Sequence, residues 1–163
     1  MDEHVLAGYA KSFRGKLYLH ALDSHIPLRL SRSDDKFSWG FTPEDDWLQA
    51  GGQQDSPVMD FHFESHGENR LHYHISIPGN PETKKLGVSR NGYLGFYWYA
   101  EVTDYWKIEP LHLSAEGLLC HLRDHRGHRV GAIPDAPHHN GNKVYLLNVD
   151  EGQIGTFLLK PTN

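Results

Sequence analysis

Leu17-Tyr18-Leu19-His20-Ala21 returns twice along the chain, as Leu71-His72-Tyr73-His74-Ile75 and as Leu118-Leu119-Cys120-His121-Leu122. In each copy apolar positions alternate with outward positions, as in a β-strand that buries one face, and a histidine occupies the fourth place. The copies begin roughly 50 residues apart, a spacing typical of one supersecondary unit used several times. The repeat therefore predicts similar units that bury their apolar faces together.

Short alternating segments continue through the rest of the chain and predict about twelve strands in all. Turn-forming pairs such as Gly51-Gly52 and Asn91-Gly92 separate them. Asn91-Gly92 predicts a type I′ hairpin turn, because both central positions of that turn need a positive φ. Only residues 42–48 resemble a helix start, and we expect one helical turn there at most.

Each unit reads as a first strand, a hairpin and a closing strand, with unit boundaries near 13–66, 67–113 and 114–163. The predicted hairpins join Leu28–Arg32 to Phe37–Phe41, Leu86–Arg90 to Tyr93–Tyr97, and Val130–Ile133 to Val144–Leu147. The predicted closing strands are Phe61–Glu64, Trp106–Pro110 and Phe157–Pro161. Residues 1–163 are therefore expected to form one domain.

This arrangement resembles the β-trefoil superfamily, and the aromatic-x-apolar-x-Pro ending at Trp106–Pro110 is similar to the end of many trefoil units. The resemblance covers residues 16–161 and implies an all-β fold, a six-stranded barrel capped by three hairpins. The Gln-x-Trp element of ricin-B-type lectins is absent from the three closures. A β-sandwich is the alternative, since short alternating strands are also typical of that fold.

Composition excludes some classes of partner. The formal net charge is −5 and no long run of Lys or Arg occurs, so we expect no nucleic-acid binding. The 13 histidines make solubility and binding dependent on pH. The repeated His20, His74 and His121 would either bond loop carbonyls or form a pH-sensitive interface.

The amino terminus lacks the basic start and apolar run of a secretory signal, and no apolar segment is long enough to span a membrane. We therefore expect a soluble protein made in the cytosol, with release by a route that leaves no signal peptide still open. Cys120 falls on an apolar strand position and is expected to be a small buried core residue.

The trefoil resemblance also implies a sugar site, because trefoil lectins commonly hold a sugar with an acidic residue after the first strand and an aromatic platform from the hairpin. Carried onto this chain, Asp23 with His25 would face Trp39, and Asp124 with His125 would face Tyr145. Carboxylates accept sugar hydroxyls, and an aromatic ring packs on the C–H face of the sugar. The alternative is that both aspartates are ordinary turn residues.

The densest aromatic segment is 93–99, where alternation directs aromatic side chains to both faces of one strand. One face must enter the core. Tyr97 and Tyr99, or their neighbours, would then form an exposed patch for a glycan or a protein, or else pack against the hairpins. Tyr97 and Trp98 are the residues of this segment that we expect to contact the ligand.

Metal binding and catalysis are not favoured. The segment His121, Asp124, His125, His128 offers metal-ligand residue types, but histidine is frequent throughout the chain, so we predict no metal site and no cofactor. The chain has no Gly-x-Ser-x-Gly elbow, no phosphate-binding glycine loop and no His-Glu-x-x-His motif. We therefore expect a protein that is not an enzyme.

Three functions remain, the weakest being an acid-responsive, histidine-rich protein that binds membranes or actin below neutral pH. The first is a carbohydrate-binding, lectin-like protein that recognises a glycan or glycoprotein through its repeat loops, with repeated sites raising the affinity. The second is a protein-binding trefoil, such as a protease inhibitor, an actin binder or a toxin component. In that case two predicted long loops, 45–58 and 136–142, would insert into the partner.

Overall fold

The computed structural model describes residues 1–35, 45–79, 82–98, 104–133, 138–139 and 142–162, with the backbone alone at 138, 139 and 142. Within these residues, helix α1 spans Glu3–Tyr9. The strands are β1 Phe13–Ala21, β2 Ser24–Leu30, β3 Leu48–Gly51, β4 Met59–Gly67, β5 Arg70–Ile77, β6 Lys84–Val88, β7 Leu94–Tyr97, β8 Trp106–Leu113, β9 Leu118–Arg123, β10 Gly131–Ile133, β11 His138–His139, β12 Asn142–Asn148, β13 Gln153–Ile154 and β14 Thr156–Thr162. Among these elements no helix has the length and apolar character that crossing a membrane requires.

Six antiparallel strands close into a barrel. β1 pairs with β4 and β14, β5 pairs with β4 and β8, and β9 pairs with β8 and β14. Closure leaves these six strands without a free edge. The prediction of an all-β chain is confirmed, and its centre is a closed six-stranded barrel.

Three hairpins form a connected layer at one end of this barrel. They pair β2 with β3, β6 with β7, and β10 with β12. β3 also pairs with β12, and single bridges join Trp47 to Gly95 and Tyr93 to Asn148. Each hairpin therefore contacts both of the others through the backbone.

The first predicted hairpin needs a correction. Its second strand is β3, with Leu28 opposite Ala50, whereas the predicted partner Phe37–Phe41 lies outside the described residues. All four residues of β3 are buried. Residues 45–58 therefore do not form the long loop that was expected to insert into a partner, because residues 48–51 form a core strand whose last residue is Gly51. The other predicted loop, 136–142, falls largely outside the described residues.

Strand alternation was predicted correctly, but the backbone pairing does not match the predicted alignment of Leu17–Ala21 with the other two segments. In three barrel strands, one core residue lies opposite a core residue in the closing strand of another predicted unit. These pairs are Leu17 with Leu159, Ile75 with Phe61, and Leu122 with Ile108. Leu17 thus corresponds to Ile75 and Leu122, four residues away from the match that the sequence predicted.

The error follows from the period of a strand. A shift by four residues leaves every side chain on its predicted face, so an alternating pattern cannot detect it. His74 and His121 keep equivalent positions one residue before Ile75 and Leu122, while His20 lies three residues after Leu17. The three histidines therefore do not form one repeated set.

The barrel interior holds the apolar faces of its strands. Leu17, Leu71 and Leu118 are each fully buried, and so is Cys120, as predicted. Burial raises the pKa of the Cys120 thiol to about 12, so the thiolate that reacts with electrophiles is not formed at neutral pH.

Helix α1 was missed by sequence reasoning. The Asp2 side chain caps it by accepting from the His4 N–H, and Val5 and Tyr9 on one side of the helix are buried. The Tyr73 hydroxyl donates a hydrogen bond to the Tyr9 carbonyl, which anchors the helix to the barrel. Asp2 before Glu3 was the available signal, since an N-cap followed by an acidic first turn is a helix start.

The Asn91-Gly92 hairpin is present, but its turn is not type I′. Gly92 has a φ of 88°, while Asn91 is not among the residues with positive φ. The Gly92 N–H donates to the Ser89 carbonyl and the Ser89 N–H donates to the Tyr93 carbonyl. This is a three-residue loop that ends in a left-handed glycine, the next most common hairpin connection.

Candidate functional site

Trp98 follows β7 directly and, at 47%, is the one exposed Phe, Tyr or Trp side chain among the described residues. Its Nε1–H donates a 3.0 Å hydrogen bond to the Glu82 carbonyl. The Lys84 Nζ lies 4.6 Å from the centroid of the indole ring, a cation–π distance. The indole is therefore held in place while much of its surface faces solvent.

Asp46 fixes the position of Lys84. Its Oδ2 lies 2.6 Å from the Lys84 Nζ, and its Oδ1 accepts a hydrogen bond from the Arg32 guanidinium. Asp46 is 7% exposed, and charge-assisted hydrogen bonds of this kind are stronger than neutral ones. We call Trp98, Lys84 and Asp46 the Trp98 platform.

The backbone of Asp46 joins two hairpins at this point. Its N–H donates to the Ser31 carbonyl after β2, and its carbonyl accepts from the Phe96 N–H in β7, both at 2.8 Å. Asp46 has a φ of 64°, in the left-handed region that aspartate tolerates better than most residues. The fold therefore places the Asp46 carboxylate beside Lys84 through main-chain contacts.

The contacts of Asp46 predict an acid-dependent contribution to stability. Burial alone would raise the pKa of Asp46, but hydrogen bonds and charge from Lys84 and Arg32 outweigh it and lower the pKa. A folded-state pKa below the unfolded value of about 3.9 stabilises the fold above that pH. This stabilisation is lost as the pH falls through the folded-state pKa.

The Asp46→Asn variant is accordingly expected to be less stable than the unmodified protein at neutral pH, with a gap that narrows as the pH falls below about 4. Urea unfolding midpoints measured down the acid range would check this. Asp60→Asn is the matched control, because the Asp60 pair with Arg14 is exposed on both sides and contributes little. If the unfolding midpoints of Asp46→Asn and the unmodified protein differ by the same amount at every pH, Asp46 does not have a lowered pKa in the folded protein.

Tyr97, predicted with its neighbours as an exposed patch, packs back onto the sheet, and Tyr99 lies outside the described residues. Its side chain is only partly exposed, and a Cβ added at Gly95 would lie 2.5 Å from the Tyr97 hydroxyl oxygen. The phenol ring therefore covers the Gly95 backbone, which explains why this strand position has no side chain. Of the two predicted aromatics, Trp98 presents the open surface.

Asp23 lies exposed at the tip of the β1–β2 hairpin. Leu22 and Asp23 have φ values of 49° and 59°, the positive pair of a type I′ turn. Among the described residues the Asp23 carboxylate makes no hydrogen bond or ion pair, so its oxygens remain available to a ligand. His25 lies nearby, with its Nδ1 3.5 Å from Glu116 and its ring 5.0 Å from the His20 ring.

Asp124, predicted as the partner of Asp23, is in a different environment. It is 2% exposed, and its Oδ1 accepts from the N–H groups of Arg126 and His128 at 3.0 and 2.9 Å. Its Oδ2 accepts two hydrogen bonds from the Arg126 guanidinium. This carboxylate holds its own loop together and has little surface to offer a sugar.

Among the described residues, neither His125 nor Tyr145 makes a hydrogen bond or ion pair with the Asp124 carboxylate. The His125 Nε2 lies 3.6 Å from Asp104, and Tyr145 in β12 has the Lys143 Nζ 4.9 Å from its ring centroid. Trp39 lies outside the described residues. Within the part of the chain that the structure describes, no three His, Cys, Asp or Glu side chains are placed to hold a metal ion.

Sequence reasoning found Trp98 through the aromatic density of its segment but missed Lys84 and Asp46. Lys84 is separated from Asp46 by 38 positions, and neither lies in a recognisable motif. The left-handed backbone conformation of Asp46 brings its carboxylate next to Lys84, and no sequence pattern predicts that conformation.

Comparison with protein-family models, with curated proteins and with solved structures finds no match to this chain.

Proposed function

We propose that this protein binds carbohydrate, without catalysing a reaction, through the Trp98 platform and the exposed β1–β2 turn. The observation that carries the proposal is the Trp98 indole, exposed yet fixed by the Glu82 carbonyl and Lys84. A fixed aromatic ring binds the C–H face of a sugar at low entropic cost. The Lys84 ammonium lies over the indole ring and donates to Asp46, and its remaining N–H groups can donate to a sugar hydroxyl.

The β1–β2 turn supplies a second contact region of suitable chemistry. Asp23 is exposed, and its carboxylate can accept hydrogen bonds from two neighbouring hydroxyls. Asp124 is bound to its own loop, so it does not supply a second exposed carboxylate. Of the two predicted carboxylate contacts, we therefore propose only the one made by Asp23.

We also propose that the barrel and its hairpin layer form a β-trefoil. Backbone pairing supports this, because the same contact recurs between each hairpin and the next. These contacts are Trp47 with Gly95, Tyr93 with Asn148, and Leu146 with Gln49. The matched core positions of Leu17, Ile75 and Leu122 give the same support within the barrel.

Trp98→Ala is expected to weaken glycan binding by about tenfold or more, since a stacked aromatic contributes about 1.5 kcal/mol beyond its area. Its melting temperature should change by only a few degrees, because the ring lies outside the core. A glycan array probed at about pH 5 and about pH 7.5 would identify the ligand and measure the loss.

Trp98→Phe is the matched control, since it keeps an aromatic face and should retain part of the affinity. Asp23→Asn, with no partner to lose, should lower affinity without lowering stability. Failure of the unmodified protein to retain any glycan at either pH would overturn the proposal.

One observation favours protein binding as a second candidate. Leu22, beside Asp23 at the tip of the β1–β2 turn, is 94% exposed and has a positive φ. An apolar side chain in that conformation is strained and unfavourably hydrated, which suits a residue that enters a partner. Recovery of a stable protein complex that Leu22→Ser abolishes would support this candidate.

A further inference from the structure

Three arginines converge on one carboxylate on the outer wall of the barrel. The Arg123 Nε and Nη2 lie 2.9 and 2.8 Å from the Glu109 Oε1. The Arg129 Nη2 lies 3.4 Å from the same oxygen, and the Arg70 Nη1 lies 3.3 Å from the Oε2. We call these four residues the arginine cluster. A single negative charge faces three positive charges there.

Lys107 adds a fourth positive charge to this surface. It lies directly opposite Arg123 in the β8–β9 pair and shares the outward face of β8 with Glu109. Among the described residues Lys107 makes no ion pair, and its Nζ lies 5.9 Å from the Tyr105 ring centroid. Like charges directly opposite each other destabilise a sheet, so the fold maintains this excess charge at a cost.

One hydrogen-bond donor of the arginine cluster is unpaired within the part of the chain that the structure describes. The Arg129 Nε is buried and has no hydrogen-bond partner among the described residues. A buried N–H without an acceptor is unfavourable, and nearly all such groups in folded proteins find one. An anion bound by the Arg129 guanidinium would supply the missing acceptor after a shift of the side chain, because the Nε is not accessible to solvent in this conformation.

A cleft of about 570 Å³ opens beside these donors. The residues lining it include Arg123, His128, Arg129, Asp150, Glu151 and Ile154. The Asp150 carboxylate is turned toward Gly92, where an added Cβ would lie 2.8 Å from its Oδ2. The cleft is therefore large enough for a small molecule, and its arginine side carries the excess charge.

We propose that Arg123 and Arg129, the two members of the arginine cluster that line this cleft, bind a tetrahedral oxyanion, the phosphate or sulfate group of a ligand seated there. Guanidinium groups present paired N–H donors whose spacing matches the oxygens of such groups. Glu109 holds the three side chains in place, and the surplus charge attracts the anion. This site is separate from the Trp98 platform and does not depend on the glycan proposal.

Isothermal titration calorimetry with inorganic sulfate and inorganic phosphate, at constant ionic strength in sodium chloride, tests the proposal. We expect saturable binding of at least one of them by the unmodified protein. Arg129→Gln should weaken that binding by about tenfold or more, because it removes a charge-assisted donor. Lys107→Gln, which breaks no ion pair, should weaken it by a smaller factor and tests the site if Arg129→Gln folds poorly.

Arg14→Gln is the matched control, since it makes the same charge change at an exposed pair with Asp60; its affinity should change less than about twofold. Glucose 6-phosphate is titrated in the same way. If it binds more tightly than inorganic phosphate, the natural ligand is a larger molecule that carries a phosphate group. If the two bind equally, the natural ligand is the free ion. Absence of saturable binding to either ion, or equal losses in Arg129→Gln and Arg14→Gln, would overturn the proposal.

Discussion

Asp124→Ala is expected to lower the free energy of unfolding by about 3 kcal/mol and the melting temperature by about 10 °C. The carboxylate is 2% exposed and accepts hydrogen bonds from two backbone N–H groups, those of Arg126 and His128. Alanine would leave those N–H groups without their acceptor inside the loop and would release the Arg126 guanidinium. Urea or thermal unfolding measures the loss directly.

Asp23→Ala provides the comparison, because sequence analysis gave the two aspartates the same role. Asp23 is exposed, and its carboxylate makes no hydrogen bond or ion pair among the described residues, so its replacement should cost less than about 1 kcal/mol. Equal losses in the two variants would show that the hydrogen bonds of Asp124 do not contribute as described. For the same reason a glycan-binding test that removes both aspartates together would mix a binding effect with unfolding.

The different fates of these aspartates follow from the four-residue shift in the first repeat. Leu17 corresponds to Leu122, so Asp124 takes the inward position of Leu19 in β1. Leu19 is 3% exposed and packs in the core. An aspartate can occupy such a position only with its oxygens satisfied, and the following loop supplies the donors. The residue pattern alone shows neither the shift nor those donors.

Much of the fold was predictable because it depends on periodicity. Alternation located nearly all of the barrel strands, and the repeat led to the expectation of a barrel with three hairpins. The elements that sequence analysis missed are too short to show a periodic pattern. β3 is a four-residue strand ending in Gly51, too short to stand out from a loop, and α1 occupies only seven residues before the first repeat.

The candidate sites were less predictable, because they are assembled from distant parts of the chain. Trp98 could be found from local aromatic density, but its orientation depends on Lys84 and Asp46. The arginine cluster joins Arg70 in β5, Glu109 in β8 and two residues around the end of β9. Nothing in the spacing of these residues suggests a site. Their proximity is a consequence of strand order in the closed barrel.

The hairpin layer provides the other large expected effect. Leu94 in β7 is fully buried, and its neighbours Tyr93 and Gly95 make the bridges to the other two hairpins. Leu94→Ala removes three buried carbon atoms where the hairpins meet, and the backbone contacts on both sides prevent the site from collapsing. We expect a loss of about 3 to 4 kcal/mol in the free energy of unfolding, read from urea unfolding.

Leu113→Ala is the matched control, because Leu113 at the end of β8 is 36% exposed and its removal leaves no enclosed cavity. It should cost less than about 1 kcal/mol. If the hairpins are equivalent, as a β-trefoil requires, Leu48→Ala and Leu147→Ala should resemble Leu94→Ala, since these leucines flank the same kind of bridge and are each 1% exposed. A large loss of unfolding free energy in Leu94→Ala, with none in Leu48→Ala or Leu147→Ala, would argue against equivalent hairpins. In three equivalent hairpins, the central leucines should contribute similarly to stability.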